Sequence, residues 1–113
     1  MNTSPPAFPG KLTVDQTKIT DYVLVEPSKS RPFLAIGFSP KDPAIFEAAI
    51  KRHGFNAPMK GCRAADYGPE WNYAFDGPLT GPNGGTITRV RSVWCAEPGA
   101  AEARFVTAFK VGK

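Results

Sequence analysis

Hydrophobic and polar positions follow two different periods, one before Gly54 and another after it. From Asp15 onward, Ile19, Tyr22 and Val23 recur at i, i+3 and i+4, the spacing of one helical face. Asp15 is placed to cap that helix, and Glu26-Pro27 ends it, because the residue before a proline is pushed out of the α region. Ser30 to Gly37 reads as one or two helical turns, with Pro32 in the first turn and Gly37 at C′. The strongest helical pattern comes next. Ser39 caps it, Pro40 takes N1 and Asp42 takes N3, while Ile45, Phe46, Ala49 and Ile50 share a face opposite Glu47, Lys51 and Arg52. Gly54 is the expected stop.

Beyond Gly54 the period becomes that of strands. Residues 56–67 read as an irregular edge strand marked by Pro58 and Gly61. Trp71, Tyr73 and Phe75 alternate with Asn72, Ala74 and Asp76, the pattern of a half-buried strand. Gly77 to Gly85 is turn chemistry centred on Asn83-Gly84, Thr86 to Cys95 is a long β-rich strand, and Arg104 to Val111 is the last one. A short extended piece at Lys11 to Val14 precedes the helices. The expected fold is α+β, with two or three N-terminal helices packed on a four- to five-stranded antiparallel sheet. Residues 1–10, with Pro5, Pro6 and Pro9, are expected as a flexible Pro-rich arm, and 11–113 as a single α+β domain.

Composition narrows the function classes. The 113 residues are 42% hydrophobic and 21% charged, which excludes collagen, coiled coil and wholesale disorder. No run approaches the ~20 apolar residues of a membrane span, and the first residues lack the basic and apolar regions of a secretion signal. The expectation is a cytoplasmic protein with no membrane partner. Cys62 and Cys95 lack CxxC spacing, and a single histidine, His53, forms no cluster with other ligand types, so neither a metal nor a cofactor is expected. The net charge of +4 suits an anionic partner.

The cations supply the candidate chemistry. Strict alternation puts Ile87, Arg89, Arg91 and Val93 on one face, where two guanidinium forks aim the same way, a workable phosphate clamp. On the last strand it puts Arg104, Val106, Ala108 and Lys110 on one face, and Phe105, Thr107 and Phe109 on the other, which reads as buried. Lys60 and Arg63 extend the basic surface from the neighbouring strand. The plain alternative is a solvated sheet face, where such charges blunt exposed edges. Two roles fit His53 in the last turn of its helix: a cationic ring favoured by the helix dipole and covering the core's edge, or a proton carrier. The Gly-rich hairpin leads into a strand, not a helix, so it is read as a plain turn and not as a phosphate loop.

The order Lys18-Ile19-Thr20-Asp21-Tyr22-Val23-Leu24, then Lys29 before Phe33-Leu34-Ala35-Ile36-Gly37-Phe38, is distinctive. So is the later series Gly77-Pro78-Leu79, Gly81-Pro82-Asn83-Gly84, Val90-Arg91-Ser92-Val93-Trp94 and Val106-Thr107-Ala108-Phe109. Together these resemble an uncharacterised bacterial domain family found as standalone proteins and at the C-termini of polymorphic toxins and phage head-morphogenesis proteins. That family is similar in layout to barnase/EndoU/colicin/RelE-type toxin nucleases. The resemblance implies a metal-independent ribonuclease cleaving RNA or tRNA through its 2′-hydroxyl, with a cognate antitoxin or immunity protein as partner. It carries Lys29, Arg91 and Thr107 over as catalytic positions. His53 joins them as a second proton carrier, and Arg89, Arg104, Lys110 and Lys60 are the expected substrate-binding cations. The competing expectation is a non-enzymatic interaction or immunity-like module, motivated by the single histidine, the absence of a carboxylate–His pair in the sequence, and the departures near Lys29, where Pro32 interrupts the first turn of the following helix.

Overall fold

A computed structural model describes residues 8–65 and 68–112 of the chain. Strand β1 (Lys11–Thr13) leads into a short helix α1 (Gln16–Lys18) that runs on as a π-helical turn over Ile19–Val23, followed by α2 (Pro27–Ala35) and α3 (Pro43–Asn56). Then come β2 (Met59–Ala64), β3 (Trp71–Thr80), β4 (Thr86–Ala96) and β5 (Glu102–Lys110). The strands form one five-stranded sheet in the order β1-β5-β4-β3-β2. The fold is α+β, as expected, but the sheet is mixed: β1 runs parallel to β5 while every other pair is antiparallel. No local pattern encodes that pairing, because Lys11 to Thr13 meet partners at Glu102 to Arg104, at the other end of the sequence. Residues 1–7 of the expected Pro-rich arm lie outside the described residues; Phe8 packs edge-on against Tyr73 and Phe75, with ring centroids 5.0 and 4.7 Å apart. Among the described residues no helix is long and apolar enough to cross a membrane.

The helix signals act largely as read. Asp15 accepts a bond from the Thr17 amide at 3.0 Å. Gly37, at φ 103°, closes α2: its amide reaches the Leu34 carbonyl while the Phe38 amide reaches Phe33, the paired bonds of a Schellman turn. α2 is longer than expected because Pro27, not Pro32, takes its first turn, leaving Pro32 inside the helix. At α3 the expected cap belongs to a preceding turn, in which Ser39 accepts from the Lys41 amide, and the helix itself begins at Pro43. Gly54 does not stop α3. It lies inside the helix against Trp94 and Leu12, where an added Cβ would come within 3.0 Å of the indole and 2.8 Å of the leucine methyl. The glycine permits close approach of helix and sheet. The hairpin loop is shorter than its composition suggests, since Gly77 to Thr80 belong to β3. The loop docks on the end of α2, where the Asn83 amide and side chain donate to the carbonyls of Ile36 and Ala35.

Two β-bulges decide which residues face the core. Leu79 pairs with Ile87 and Gly77 with Val90, so Thr88 and Arg89 together oppose Pro78, which has no amide to offer the ladder. Val93 pairs with Thr107 and Trp94 with Phe105, so Val106 is the extra residue on β5. Each bulge flips the parity that strict alternation predicts. Ile87 therefore joins Val90, Ser92 and Trp94 in the core, away from Arg89 and Arg91, and Phe105 is separated from Thr107 and Phe109.

α3 is fastened to the sheet by polar as well as apolar contacts. His53, only 4% exposed, lies beneath β3 and β4. Its Nε2–H donates to the Val90 carbonyl at 2.8 Å and the Gly77 carbonyl at 3.2 Å, so Nδ1 accepts from the Ser92 hydroxyl at 2.8 Å. Ser92 in turn accepts from the Trp94 indole at 3.0 Å. Every donor in this chain has an acceptor only if the imidazole is neutral. Burial pushes the His53 pKa down, outweighing the opposing hydrogen bonds to Gly77 and Val90 and the charge of Asp76. The folded protein thus disfavours a proton that the unfolded chain accepts below about pH 6.5, so the stabilisation is complete above that pH and is lost as pH falls toward the lower folded value. We expect the urea midpoint of the wild type to drop between pH 7.5 and 5.5. His53→Gln should lose about 3 kcal/mol at pH 7.5 through orphaned partners, yet show a flatter profile over that window.

Candidate functional site

The sheet face opposite α3 carries the charge. Register places Asp76 of β3, Arg91 of β4 and Phe109 of β5 side by side across three strands. The next row along the strands is Ala74, Val93 and Thr107. Arg91 holds Asp76 with a two-pronged fork, Nε to Oδ1 at 2.7 Å and Nη2 to Oδ2 at 2.9 Å, and Arg89 adds a weaker contact at 3.5 Å. The Arg91 fork holds the Asp76 carboxyl below its usual range, and Asp76 raises the Arg91 pKa in return. With Nε and Nη2 committed, Nη1 has no hydrogen-bond partner among the described residues.

Lys29 reaches the same place from the first turn of α2. Its ammonium sits 5.0 Å from the centre of the Phe109 ring and 5.5 Å from that of Tyr22, and the Arg91 guanidinium lies 6.0 Å from Phe109 on the β4 side. One aromatic ring thus lies within reach of two cations. Two arginines contact one carboxylate and Lys29 shares the Phe109 ring with Arg91, leaving a local excess of positive charge that a bound anion would neutralise. Beside this cluster a groove of about 450 Å³ runs over Ala74 and Val93, bounded by Arg91, Phe109, Asn72 and Arg63.

The expected site residues divide by position. Lys29, Arg91 and Thr107 come to one region of the open face, joined by Arg89. Thr107 lies there with Phe109, not on the core face, but its Oγ1 is closed to solvent and has no hydrogen-bond partner among the described residues. His53 is not part of this region. It lies on the core side of the sheet, held by Ser92, Gly77 and Val90. Arg104 is tied to Glu70 toward the opposite end of β5, Lys60 is exposed at the bulge of the edge strand β2, and Lys110 is exposed where β5 ends. Cys62 and Cys95 are free thiols, and burial raises the Cys95 pKa. No group of three or more His, Cys, Asp or Glu side chains among the described residues is arranged to hold a metal.

Sequence reasoning missed Asp76, the acid that orients Arg91. Its signal was the single carboxylate in the Trp71–Asp76 alternation, but its partner depends on a hairpin register that the bulge at Pro78 disguises.

Residues 9–112 match a family model described as "Domain of unknown function (DUF6883)", so the chain belongs to that family. No curated protein and no solved structure matches the chain.

The Asp76–Arg91 pair should register in stability. Both side chains are largely buried, with 12% and 26% exposure, so Asp76→Asn should cost about 2 kcal/mol. A double-mutant cycle with Arg91→Met should return a coupling above ~1 kcal/mol, whereas Arg89→Ala, at a half-exposed position, should stay within about 0.5 kcal/mol. Because the Asp76 pKa is depressed, the pair's contribution is present above about pH 3.8 and disappears as pH falls through the lower folded value.

Proposed function

We propose that the domain binds RNA on the open sheet face and acts there as a toxin-like, metal-independent endoribonuclease. The observation that carries this reading is the convergence of Lys29, Arg91 and Thr107, far apart in sequence, beside an aromatic ring that offers a stacking surface. Attack by a 2′-hydroxyl on the adjacent phosphorus builds negative charge on the non-bridging oxygens, and fixed cations stabilise that charge most when they are already oriented. Asp76 provides this orientation for Arg91, and Lys29 supplies a second charge beside Phe109. The Asp76 carboxylate is ionised at neutral pH but a weak base, so charge stabilisation carries more of the acceleration here than proton transfer. Thr107 contributes to a phosphate contact only after the groups covering its hydroxyl shift.

The second reading, a non-enzymatic binding or immunity-like module, draws support from His53. The imidazole that would serve as the proton carrier is committed to the core. On that reading the same cations hold an RNA or an acidic surface of an antitoxin or immunity protein without cleaving anything.

Incubation of the purified protein with total and transfer RNA, with and without EDTA, separates the two. The enzyme reading predicts EDTA-insensitive fragments ending in 2′,3′-cyclic phosphate, with Arg91→Ala and Lys29→Ala each reducing cleavage about 100-fold or more. Intact RNA at protein concentrations that saturate binding would leave the binding-module reading.

A further inference from the structure

We propose that the free edge of β2 is a docking site for an extended protein segment whose side chains alternate between acidic and apolar, adding a further strand to the sheet. The site does not depend on RNA binding at Arg91. β2 is the last strand of the sheet, and among the described residues no strand pairs with its outer side. The opposite edge is not equivalent. There β1 is only three residues long and its Lys11 is tied to Glu102, while β5 lies against α2 and the π-helical turn.

The ladder shows which backbone groups of β2 are unspent. Just past the strand, the Ala65 amide donates to the Glu70 carbonyl at 2.8 Å. Bonded and non-bonded positions alternate along an antiparallel ladder, so Arg63 and Gly61 give their backbone groups to β3, while Cys62 and Ala64 turn theirs to the free edge. The bulge at Lys60 interrupts the edge, but the register from Gly61 to Ala64 is continuous. An antiparallel partner exchanges a pair of hydrogen bonds with Cys62 and another with Ala64.

Side chains set the partner's pattern. Arg63 stands opposite Asn72 and Gly61 opposite Ala74, on the Arg91 face of the sheet, while Cys62 stands opposite Tyr73 and Ala64 opposite Trp71, on the core face. Cys62 and Trp71 pack at the margin of the core, so apolar partner side chains on that face extend an apolar surface. On the other face the partner meets Arg63, with Lys60 at the bulge earlier on the strand. β2 contains no acidic residue, and among the described residues neither cation has an acidic partner. Asp or Glu therefore fits the partner positions on the Arg63 face, and apolar residues fit those between. The same charges argue against a second copy of the chain, because Lys60 and Arg63 of each molecule would line one seam, a device by which edge strands resist self-pairing.

The test is fluorescence anisotropy with a labelled octapeptide that alternates valine and glutamate. It should bind at least about tenfold more tightly than a peptide of the same composition with its valines and glutamates in separate blocks, and an alternating valine–lysine peptide should not bind. N-methylation of one alternate set of peptide amides should abolish binding while methylation of the other set spares it, because only one set faces β2. Arg63→Glu should weaken the glutamate peptide about tenfold at an unchanged thermal midpoint, whereas Lys51→Ala on α3 should leave its affinity as in the wild type. In the complex the Cys62 and Ala64 amides should gain protection from hydrogen exchange. Equal binding of the block peptide, or equal tolerance of both methylation patterns, would reduce the contact to charge attraction and overturn the site. No binding at millimolar peptide would overturn it as well. A wild-type dimer whose interface protects the same amides would reassign the edge to a second copy and overturn the proposed partner.

Discussion

A neutral imidazole inside the protein joins the helical layer to the sheet, and the rest of the architecture depends on that joint. His53 satisfies two strand carbonyls on one side and the Ser92 hydroxyl on the other, while Ser92 also takes the Trp94 indole. A buried polar network of this kind specifies geometry because each member loses its partner if the helix slides or turns. Gly54, one residue further along α3, removes the side chain that would hold the helix off Trp94. Together they commit one face of the sheet to the core.

That commitment has a chemical consequence. The imidazole is unavailable for proton transfer, so any chemistry on the other face must rely on Lys29, Arg91, Asp76 and their neighbours. There the order is electrostatic. Asp76 fixes the Arg91 fork, and Phe109 sits within reach of both the Lys29 ammonium and the Arg91 guanidinium. The positive excess left over makes the face receptive to an anion, and the aromatic ring and apolar groove floor favour one that carries bases.

Much of the fold was legible wherever the signal was local. The Asp15 cap, the Gly37 terminator, the apolar face of α3 through Phe46, Ala49 and Ile50, and the edge strand near Gly61 all follow from side-chain chemistry acting over a few residues. What stayed hidden depends on partners distant in sequence. The parallel β1–β5 pair is one such feature, and the bulges opposite Pro78 and at Val106 are others. Those bulges explain why alternation grouped Ile87 with the arginines and put Thr107 on the buried face. Arg91 and Lys29 could be singled out from the chain, but Asp76 could not be matched to Arg91 without the register. The core role of His53 was hidden for a related reason: its partners belong to β3 and β4, and the burial they impose outweighs the helix-end preference for a charged ring.

The most direct test of this two-faced account is an NMR titration of the isotope-labelled protein with a short 2′-O-methyl RNA, which binds without being cut. The account predicts shifts at the Arg89 and Arg91 Nε–H groups, the Phe109 ring and the Lys29 side chain, while the His53 Nε2–H signal stays that of a neutral, slowly exchanging imidazole. Shifts centred on α3 and His53 with the Arg91 face unmoved, or no shifts at millimolar RNA, would contradict it.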